Sequence, residues 1–434
     1  MALIRGDSRN NNLVGPSEFN GRNDIYGYEG SDFLKGGFFS VNFIWGGPGG
    51  DAIEGGAEAD RLYGEDGNDT LSGFGEGTRF HGGGGDDLIT GPAFSGAYFD
   101  GGPGADRMRG GTKSDIYLVD NPRDVIVETY EHRFENGVNP VDTAIWAAPQ
   151  RGYSISLGQG RTDAVSFGGG AVAVENIERL VFTDGEFRTD SGDVAAQIYR
   201  LYGATLDRAP DSGGLKNWLV AVEKGALTLR QAADGLTASP EFQIKYGNVD
   251  DGGFVDLMYD NVLHRDPDPE GFNAWVNALA NGMSRSELVL GFSESLENVQ
   301  ATRAGVERGL WVGDDQAAMV ARLYDTTLDR MPDAEGLTAW TNAVKAGVPL
   351  QQAANGFMGS PEFQRKYGAL DDTGFVRQLY RNVLDREGDA PGVEAWSDSL
   401  RAGNSRDAVV LGFSESVEHQ IKLAPYIDDG IWLL

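Results

Sequence analysis

The chain has 434 residues and no cysteine, and its 66 acidic against 36 basic residues give a formal net charge of -30. The length predicts two or three domains, and the lack of cysteine excludes disulfides and thiolate chemistry. So acidic a chain is a poor partner for nucleic acid or anionic lipid, because both require Lys and Arg. Its self-repulsion disfavours a compact state, which bound divalent cations would relieve.

Residues 1–45 carry Asn or Asp followed by an apolar residue, as in NNNLVG, NDIYG and SDFLKGG, but without a strict repeat phase. We expect them to form degenerate turns of the array that follows, as an N-terminal cap over its first strand edge.

Residues 46–118 are organised in nonapeptides. GGPGGDAIE, GGAEADRLY, GEDGNDTLS, GFGEGTRFH and GGGGDDLIT follow one another without a break, and GGPGADRMR and GGTKSDIYL come after a ten-residue unit. Glycine at the first positions permits backbone angles closed to other residues, the sixth position is usually Asp, and an apolar residue follows two places later. Each unit therefore predicts a turn, a short strand and an oxygen ligand, which a disordered glycine-rich linker would not maintain in phase.

The array resembles the RTX (repeats-in-toxin, haemolysin-type) pattern GGxGxDxUx. The resemblance implies a parallel β-roll with two nonapeptides per turn, in which sixth-position carboxylates and loop carbonyls hold Ca²⁺ between successive turns. The residues of this sequence that match such positions are Asp51, Asp60, Asp69, Asp87, Asp106, Asp115, Gly47, Gly49, Gly56, Gly67, Gly83, Gly85, Gly102 and Gly104.

With two nonapeptides per turn, the roll has two edges of different composition. One edge carries Asp51, Asp69, Asp87 and Asp106, and the other carries Asn42, Asp60, Thr78, Ala97 and Asp115. We predict Ca²⁺ in register along the first edge and patchy or absent along the second, since hard oxygen ligands suit Ca²⁺ rather than zinc. The narrow core is predicted to contain Ile53, Leu62, Leu71, Phe80, Ile89, Phe99 and Met108.

Residues 119–190 contain apolar runs with strand alternation, separated by Gly, Pro and Asn. YLVDNPRDVIVE and ENIERLVFTDG resemble the segments that close RTX rolls, so we predict a β extension that caps the roll.

From residue 193 the spacing becomes helical, and four half-repeats share the intervals of Tyr, Leu, Arg, Asp, Gly and Trp. The Arg and Trp members are Arg208, Arg265, Arg330, Arg386, Trp218, Trp275, Trp340 and Trp396. SPEF recurs in halves one and three and GFSES in halves two and four, which predicts a duplicated all-α domain with units at 193–305 and 306–425. Four kinds of helix-start signal occur in this region: the Asp of PDxxG and the motifs TLRQ, SRSE and SPEF.

This region resembles a bacterial domain of unknown function that accompanies RTX arrays and is distantly similar to phycobilisome linker repeats. The resemblance implies association in extracellular or assembly settings and supplies no catalytic residues. The fourth half departs from the pattern at Glu387 and Gly388.

Three binding alternatives remain open in the helical region. Asp266 and Asp268 start like an EF-hand loop but lack its later ligands, so helix capping is favoured. The four Arg residues suit an anionic glycan or, more simply, a neighbouring carboxylate. The four Trp residues suit sugar stacking or, at helical spacing, the core.

Catalytic signatures are sparse. His81, His132, His264 and His419 are scattered, HExxH, GxSxG and P-loop motifs do not occur, and GDS at Gly6–Ser8 has no accompanying DxxH block. We predict a protein without enzymatic activity, with a carboxylate-pair glycosidase as the open alternative.

The first residues, MALIRGDSRNNN, have no apolar core and no apolar run reaches membrane-spanning length, so we expect neither a secretory signal peptide nor a membrane helix. The RTX resemblance implies type I secretion from a Gram-negative bacterium through an uncleaved C-terminal signal, and residues 426–434 are similar to such a tail. We predict a secreted, calcium-folded protein of a surface layer, biofilm matrix or adhesin, whose helical repeats bind other copies, surface proteins or glycans. The alternatives are a polysaccharide-binding anchor and a secreted hydrolase with its site in 119–190.

Overall fold

The computed structural model describes residues 1–128, 140–157, 163–167 and 170–434. The chain divides into two compact units. The first comprises Met1–Ile145, Ile155–Leu180 and Phe187–Val312, and the second comprises Trp146–Ser154, Val181–Glu186 and Gly313–Leu434.

The N-terminal part is a parallel β-solenoid of about 7 turns, called the roll below. Its strands are β1 (Ala2–Arg5), β2 (Asn12–Val14), β3 (Gly21–Tyr26), β4 (Phe33–Lys35), β5 (Ser40–Trp45), β6 (Ala52–Glu54), β7 (Arg61–Asp66), β8 (Thr70–Ser72), β9 (Arg79–Gly84), β10 (Leu88–Thr90), β11 (Tyr98–Asp100), β12 (Arg107–Arg109), β13 (Ile116–Val119) and β14 (Val125–Val127). Odd-numbered strands pair in one sheet and even-numbered strands in the other. The parallel β-roll predicted from the nonapeptides is confirmed.

Apolar side chains fill the narrow space between the two sheets because successive residues of a strand point to opposite faces. All the predicted core residues are buried, at 0 or 1% exposure: Ile53, Leu62, Leu71, Phe80, Ile89, Phe99 and Met108. The same stack continues into residues 1–45, where Ile25 pairs in register with Ile44 and both are fully buried. Strand pairing therefore continues across position 45. An inward-facing apolar residue is enough to keep a strand in the roll even where the glycine repeat is lost.

The region 119–190 contributes further strands: β15 (Thr143–Trp146), β16 (Ser154–Ser156), β17 (Asp163–Phe167), β18 (Gly170–Glu175), β19 (Arg179–Phe182) and β20 (Gly185–Arg188). β18 pairs parallel with β14 of the roll and antiparallel with β17. The rest of this segment, with His132, lies outside the described residues.

The first unit contains the helices of the first repeat and one further strand: α1 (Val194–Leu206), α2 (Ser212–Glu223), α3 (Leu229–Thr237), α4 (Pro240–Tyr246), α5 (Asp251–Met258), α6 (Pro269–Ala280), α7 (Arg285–Ser293), α8 (Leu296–Glu307) and β21 (Leu310–Gly313, its last residue in the second unit). The second unit contains those of the second: α9 (Asp315–Leu328), α10 (Ala334–Lys345), α11 (Leu350–Gly359), α12 (Pro361–Tyr367), α13 (Asp372–Leu384), α14 (Ala390–Arg401), α15 (Arg406–Ser414) and α16 (Val417–Ile427). The predicted helical C-terminal region is confirmed, with the short strand β21 between its two sets of helices.

The helix starts follow the predicted signals. The Asp of each PDxxG-type loop caps its helix, and Thr228 and Ser284 complete capping boxes. Ser239 and Ser360 cap helices that have Pro at the first position. In the fourth half-repeat the loop leads into α14 in the same way despite Glu387 and Gly388. This loop also begins with a residue in the left-handed conformation and ends on an Asp that caps the helix.

Each helical unit has its own apolar core and a deeply placed Arg–Glu ion pair. In the first, Arg200 is 2% exposed and donates to Glu294, the C-cap of α7, at 2.5 and 3.0 Å. Arg322 and Glu415 repeat this pair in the second unit. The duplication seen in sequence therefore extends to the buried polar contacts.

Candidate calcium site

A column of aspartates follows the first edge of the roll. One oxygen of each, Oδ1, accepts a hydrogen bond from the backbone N–H of the aspartate one turn earlier. The N–H of Asp51 donates to Asp69, that of Asp69 to Asp87, and that of Asp87 to Asp106, at 2.7 to 2.8 Å. This ladder fixes the side-chain rotamers of the aspartates. The other oxygen of each carboxylate, Oδ2, therefore occupies the same position in successive turns.

The Oδ2 atoms of this column have no hydrogen-bond partner in the described part of the chain. They belong to Asp32, Asp51, Asp69, Asp87 and Asp106, each at 1 to 3% exposure. A buried polar atom without a partner is costly, and five in register call for a specific explanation.

Glycine creates an open cradle beside each of these oxygens. A Cβ added at Gly82 would lie 2.1 Å from Oδ2 of Asp87 and 2.5 Å from the carbonyl oxygen of Gly101. Gly64 and Gly46 present the same arrangement one and two turns earlier. The glycine at the first position of each repeat thus leaves space between a carboxylate oxygen and a carbonyl oxygen of the next turn.

Burial makes the ionised carboxylates unfavourable in the absence of a cation. It raises the pKa of Asp51 to about 6 and those of Asp87 and Asp106 to about 7, and neighbouring carboxylates add to the shift. The pKa of Asp69 is also raised by burial. A cation at the column would favour the ionised forms.

The donor set fits Ca²⁺. The cradles are lined by carboxylate and carbonyl oxygens, the ligands that this hard cation takes. Asp51, Asp69, Asp87 and Asp106, predicted from sequence, are the residues that would hold it along the first edge, where it would supply the positive charge that the column lacks.

The second edge is satisfied by the protein itself. Oδ1 of Asp60 accepts from the backbone and side chain of Asn42 at 2.6 and 2.9 Å, and its Oδ2 accepts from Gly56. Both oxygens of Asp115 accept backbone N–H groups, from Ala97 and Gly111. Hydrogen bonds occupy here the positions left open on the first edge, so Asp60 and Gly56 are weaker candidates for the ion. Asp115 differs, because it also brings a carboxylate oxygen within 4.8 Å of those of the buried Glu128 and Asp142.

The remaining predicted glycines pack the loops of successive turns. Gly49, Gly67 and Gly85 adopt φ of 145°, 148° and 131°, where other residues are strained. A Cβ on Gly67 would come within 1.7 Å of the carbonyl oxygen of Gly49. Close loop stacking, which brings the carbonyls to the edge, thus requires glycine. The other predicted glycines, Gly47, Gly83, Gly102 and Gly104, also have a carbonyl of the neighbouring turn within 2.4 Å of an added Cβ.

The column is longer than the sequence prediction. Asp32 and Asp124 continue the same ladder at its two ends, through Asp51 Oδ1 and the N–H of Asp106. The detectable signals were GYEGSDFLK, whose Asp32 precedes Asp51 by 19 residues, and the Asp124 of NPRDVIV, 18 residues after Asp106. Asp120 also brings a carboxylate oxygen within 4.8 Å of those of Asp106 and Asp124.

The repeated Arg and Trp residues of the helical units are structural. Each Arg pairs with a Glu 32 or 33 residues later and lies 5.2 or 5.3 Å from the Tyr ring of its half-repeat: Arg208–Glu241, Arg265–Glu297, Arg330–Glu362 and Arg386–Glu418. Each Trp packs partly buried on its core, against the glycine of the following helix. These contacts favour the ion-pair and core interpretations over glycan binding.

The other candidates find structural explanations. Asp268 caps α6 through the N–H of Gly271. His81 contacts Asp100, His264 the carbonyl of Asp260, and His419 Asp325. A pocket of about 300 Å³ beside the β extension is lined by one acid, Asp86, with Arg123, Asn121, Pro122 and small residues, so among the described residues it lacks the acid pair of a glycosidase.

Comparison with known families agrees with the geometry. The RTX calcium-binding nonapeptide repeat (4 copies) matches residues 19–39, 45–73 and 99–116. Domain of unknown function DUF4214 matches residues 181–246, 233–302 and 354–423. No curated protein matches the chain. None of the helices in the described ranges combines the length and apolar character that a bilayer crossing needs. The chain therefore contains RTX nonapeptide repeats, which bind Ca²⁺, followed by DUF4214 domains.

Proposed function

We propose that the protein is exported unfolded, folds outside the cell when Ca²⁺ binds along the first edge of the roll, and serves there as a structural or adhesive protein without enzymatic activity. The observation that carries the proposal is the register of five buried Oδ2 atoms, from Asp32 to Asp106, that no group of the described residues satisfies.

Their chemistry couples folding to the ion. A column of buried carboxylates opposes folding while it is empty and ionised, so the free energy of binding becomes free energy of folding. Extracellular modules of this kind fill at about 10⁻⁴ to 10⁻³ M. RTX repeats are typical of type I secretion, so low cytosolic calcium would keep the chain open for export from a Gram-negative cell.

The two helical units supply the contacts in a surface layer, biofilm matrix or adhesion complex. Their Arg and Trp residues are used internally, which supports a scaffold rather than a ligand pocket. Other copies of the chain, surface proteins or glycans are the partners we propose.

Circular dichroism with calcium and with a chelator tests the folding switch. We expect the strand signal to appear on calcium addition and to be lost in chelator, with the helical signal less affected. Asp69→Asn should raise the calcium concentration needed, whereas Asp66→Asn, an exposed neighbour, should not. A strand signal indifferent to chelator would contradict the proposal. Light scattering along the titration then measures assembly separately from folding.

A further inference from the structure

The outer face of the odd-numbered sheet carries an ordered strip of aromatic and cationic side chains. Its two rows come from successive strands β3 to β11, and we call them together the aromatic strip: Tyr26, Trp45, Tyr63 and His81 in one row, and Phe43, Arg61, Arg79 and Tyr98 in the other. All are partly or fully exposed. With strands about 4.8 Å apart, the strip extends about 19 Å along the roll.

The first row is a continuous stack. The ring centroids of Tyr26 and Trp45 are 4.5 Å apart, those of Trp45 and Tyr63 5.5 Å, and those of Tyr63 and His81 4.9 Å, with interplanar angles of 3 to 7°. The rings therefore cover one another's faces and leave their edges to solvent. Stacking of a sugar ring on an aromatic face is unavailable within this row, but the hydroxyls of Tyr26 and Tyr63 and the indole N–H of Trp45 make no hydrogen bond within the described chain.

The second row holds two cations side by side. Arg61 and Arg79 pair in register on β7 and β9. Their guanidinium groups lie 5.3 Å from the Phe43 ring and 5.7 Å from the Tyr98 ring. Neither forms an ion pair with a carboxylate of the described residues, in a chain with 66 acids. Like charges on adjacent strands oppose folding, so this placement suits an external anion.

The acidic groups that flank the strip on β3 and β11 are paired, while Glu65 and Asp66 lie exposed at the end of β7. Asp24 on β3 accepts from Arg22 at 2.7 Å, and Asp100 on β11 contacts His81 at 3.2 Å. The centre is thus a cationic region with outward hydrogen-bond donors. Guanidinium groups bind carboxylates through a planar two-point fork, and the free hydroxyls and indole N–H suit oxygen acceptors beside them.

We propose that the aromatic strip binds a carboxylate-bearing polysaccharide along the roll. An extended chain of this chemistry matches the length of the strip, its donors and its two unpaired guanidinium groups. A second copy of this protein is also acidic, but a two-fold contact centred on this face would bring Arg61 and Arg79 against themselves. The proposal goes beyond the folding role and requires only that the roll be folded.

The test is calorimetric titration of the calcium-saturated full chain with short galacturonate oligomers. We expect binding by the natural chain, a loss of affinity of about tenfold or more in Arg61→Gln/Arg79→Gln, and no binding of the methyl-esterified oligomers. The matched control is Arg107→Gln/Arg109→Gln, which removes two exposed arginines from the opposite sheet and should bind as the natural chain does.

Each alternative has its own readout. Equal binding by both double variants would overturn the proposal and indicate calcium bridging at the acidic edge. If Arg61→Gln/Arg79→Gln loses self-association in light scattering and the natural chain binds no galacturonate oligomer, the proposal would be overturned in favour of a second copy. The calcium-induced strand signal reports folding in every variant. If Arg61→Gln/Arg79→Gln folds poorly, Arg61→Lys/Arg79→Lys keeps the charge but not the fork, and its affinity must still fall.

Discussion

Asp87 lies in the middle of the first-edge column, and Asp87→Asn probes the charge of the column without changing its shape. Asn can still accept the hydrogen bond that Asp69 N–H donates at 2.7 Å. Burial raises the pKa of Asp87 from 3.8 to about 7. At about 1.4 kcal/mol per pKa unit, the ionised group costs the calcium-free roll about 4 kcal/mol.

The direction in which pH changes the stability of the calcium-free roll follows from proton binding. Between pH 4 and pH 7 the folded, calcium-free roll holds protons that the unfolded chain releases, so its stability falls as the pH rises through this range. We expect the natural chain in chelator to gain strand signal when the pH is lowered from 8 to 5. Asp87→Asn should keep the strand signal to higher pH in chelator and bind fewer calcium ions.

Urea unfolding followed by circular dichroism across pH 5 to 8 measures the first effect, and calorimetric calcium titration measures the second. The control is Asp86→Asn, which removes the same charge from an exposed side chain and keeps an acceptor for Ala105 N–H. A calcium-free strand signal independent of pH, or equal behaviour of the two variants, would refute the reasoning.

Gly82→Ala should abolish much of the calcium response, because its Cβ would lie 2.1 Å from Asp87 Oδ2. Gly50→Ala, whose added Cβ has its nearest atom at 3.2 Å, should have a mild effect, and calcium titration of the strand signal compares the two variants. Asp60→Asn should leave the number of bound ions unchanged in equilibrium dialysis, since its oxygens are already hydrogen-bonded; a lower number would place ions on the second edge. Glu294→Ala should cost about 3 kcal/mol or more in thermal unfolding of the helical signal by leaving buried Arg200 without its partner, against under about 1 kcal/mol for the exposed Glu297.

Local rules explain why so much of the architecture was predictable. The nonapeptide phase specifies inward apolar residues such as Phe80 and edge aspartates such as Asp87, because both follow from a short strand and a tight turn. The caps at Ser239 and Thr228 depend on residues within one helical turn. The helical duplication is likewise visible in repeated intervals.

The domain limits and the two ends of the aspartate column were harder to predict from the sequence. Asp32 and Asp124 sit in segments where the glycine pattern fades, yet pairing across the sheet brings them into the ladder. The predicted boundaries from 45 to 426 stay predictions, while the compact units combine segments that are distant in sequence.

By itself, the sequence determined the parallel roll, its calcium-binding repeats and the paired helical units, since each is encoded by residues close together in the chain. Only the tertiary structure decided which oxygens remain without a partner. Asp60 and Asp69 occupy the same repeat position, but Asn42 and Gly56 satisfy the first while Oδ2 of the second stays open. The aromatic strip has the same origin, because residues 18 or 19 apart become neighbours only when the turns stack.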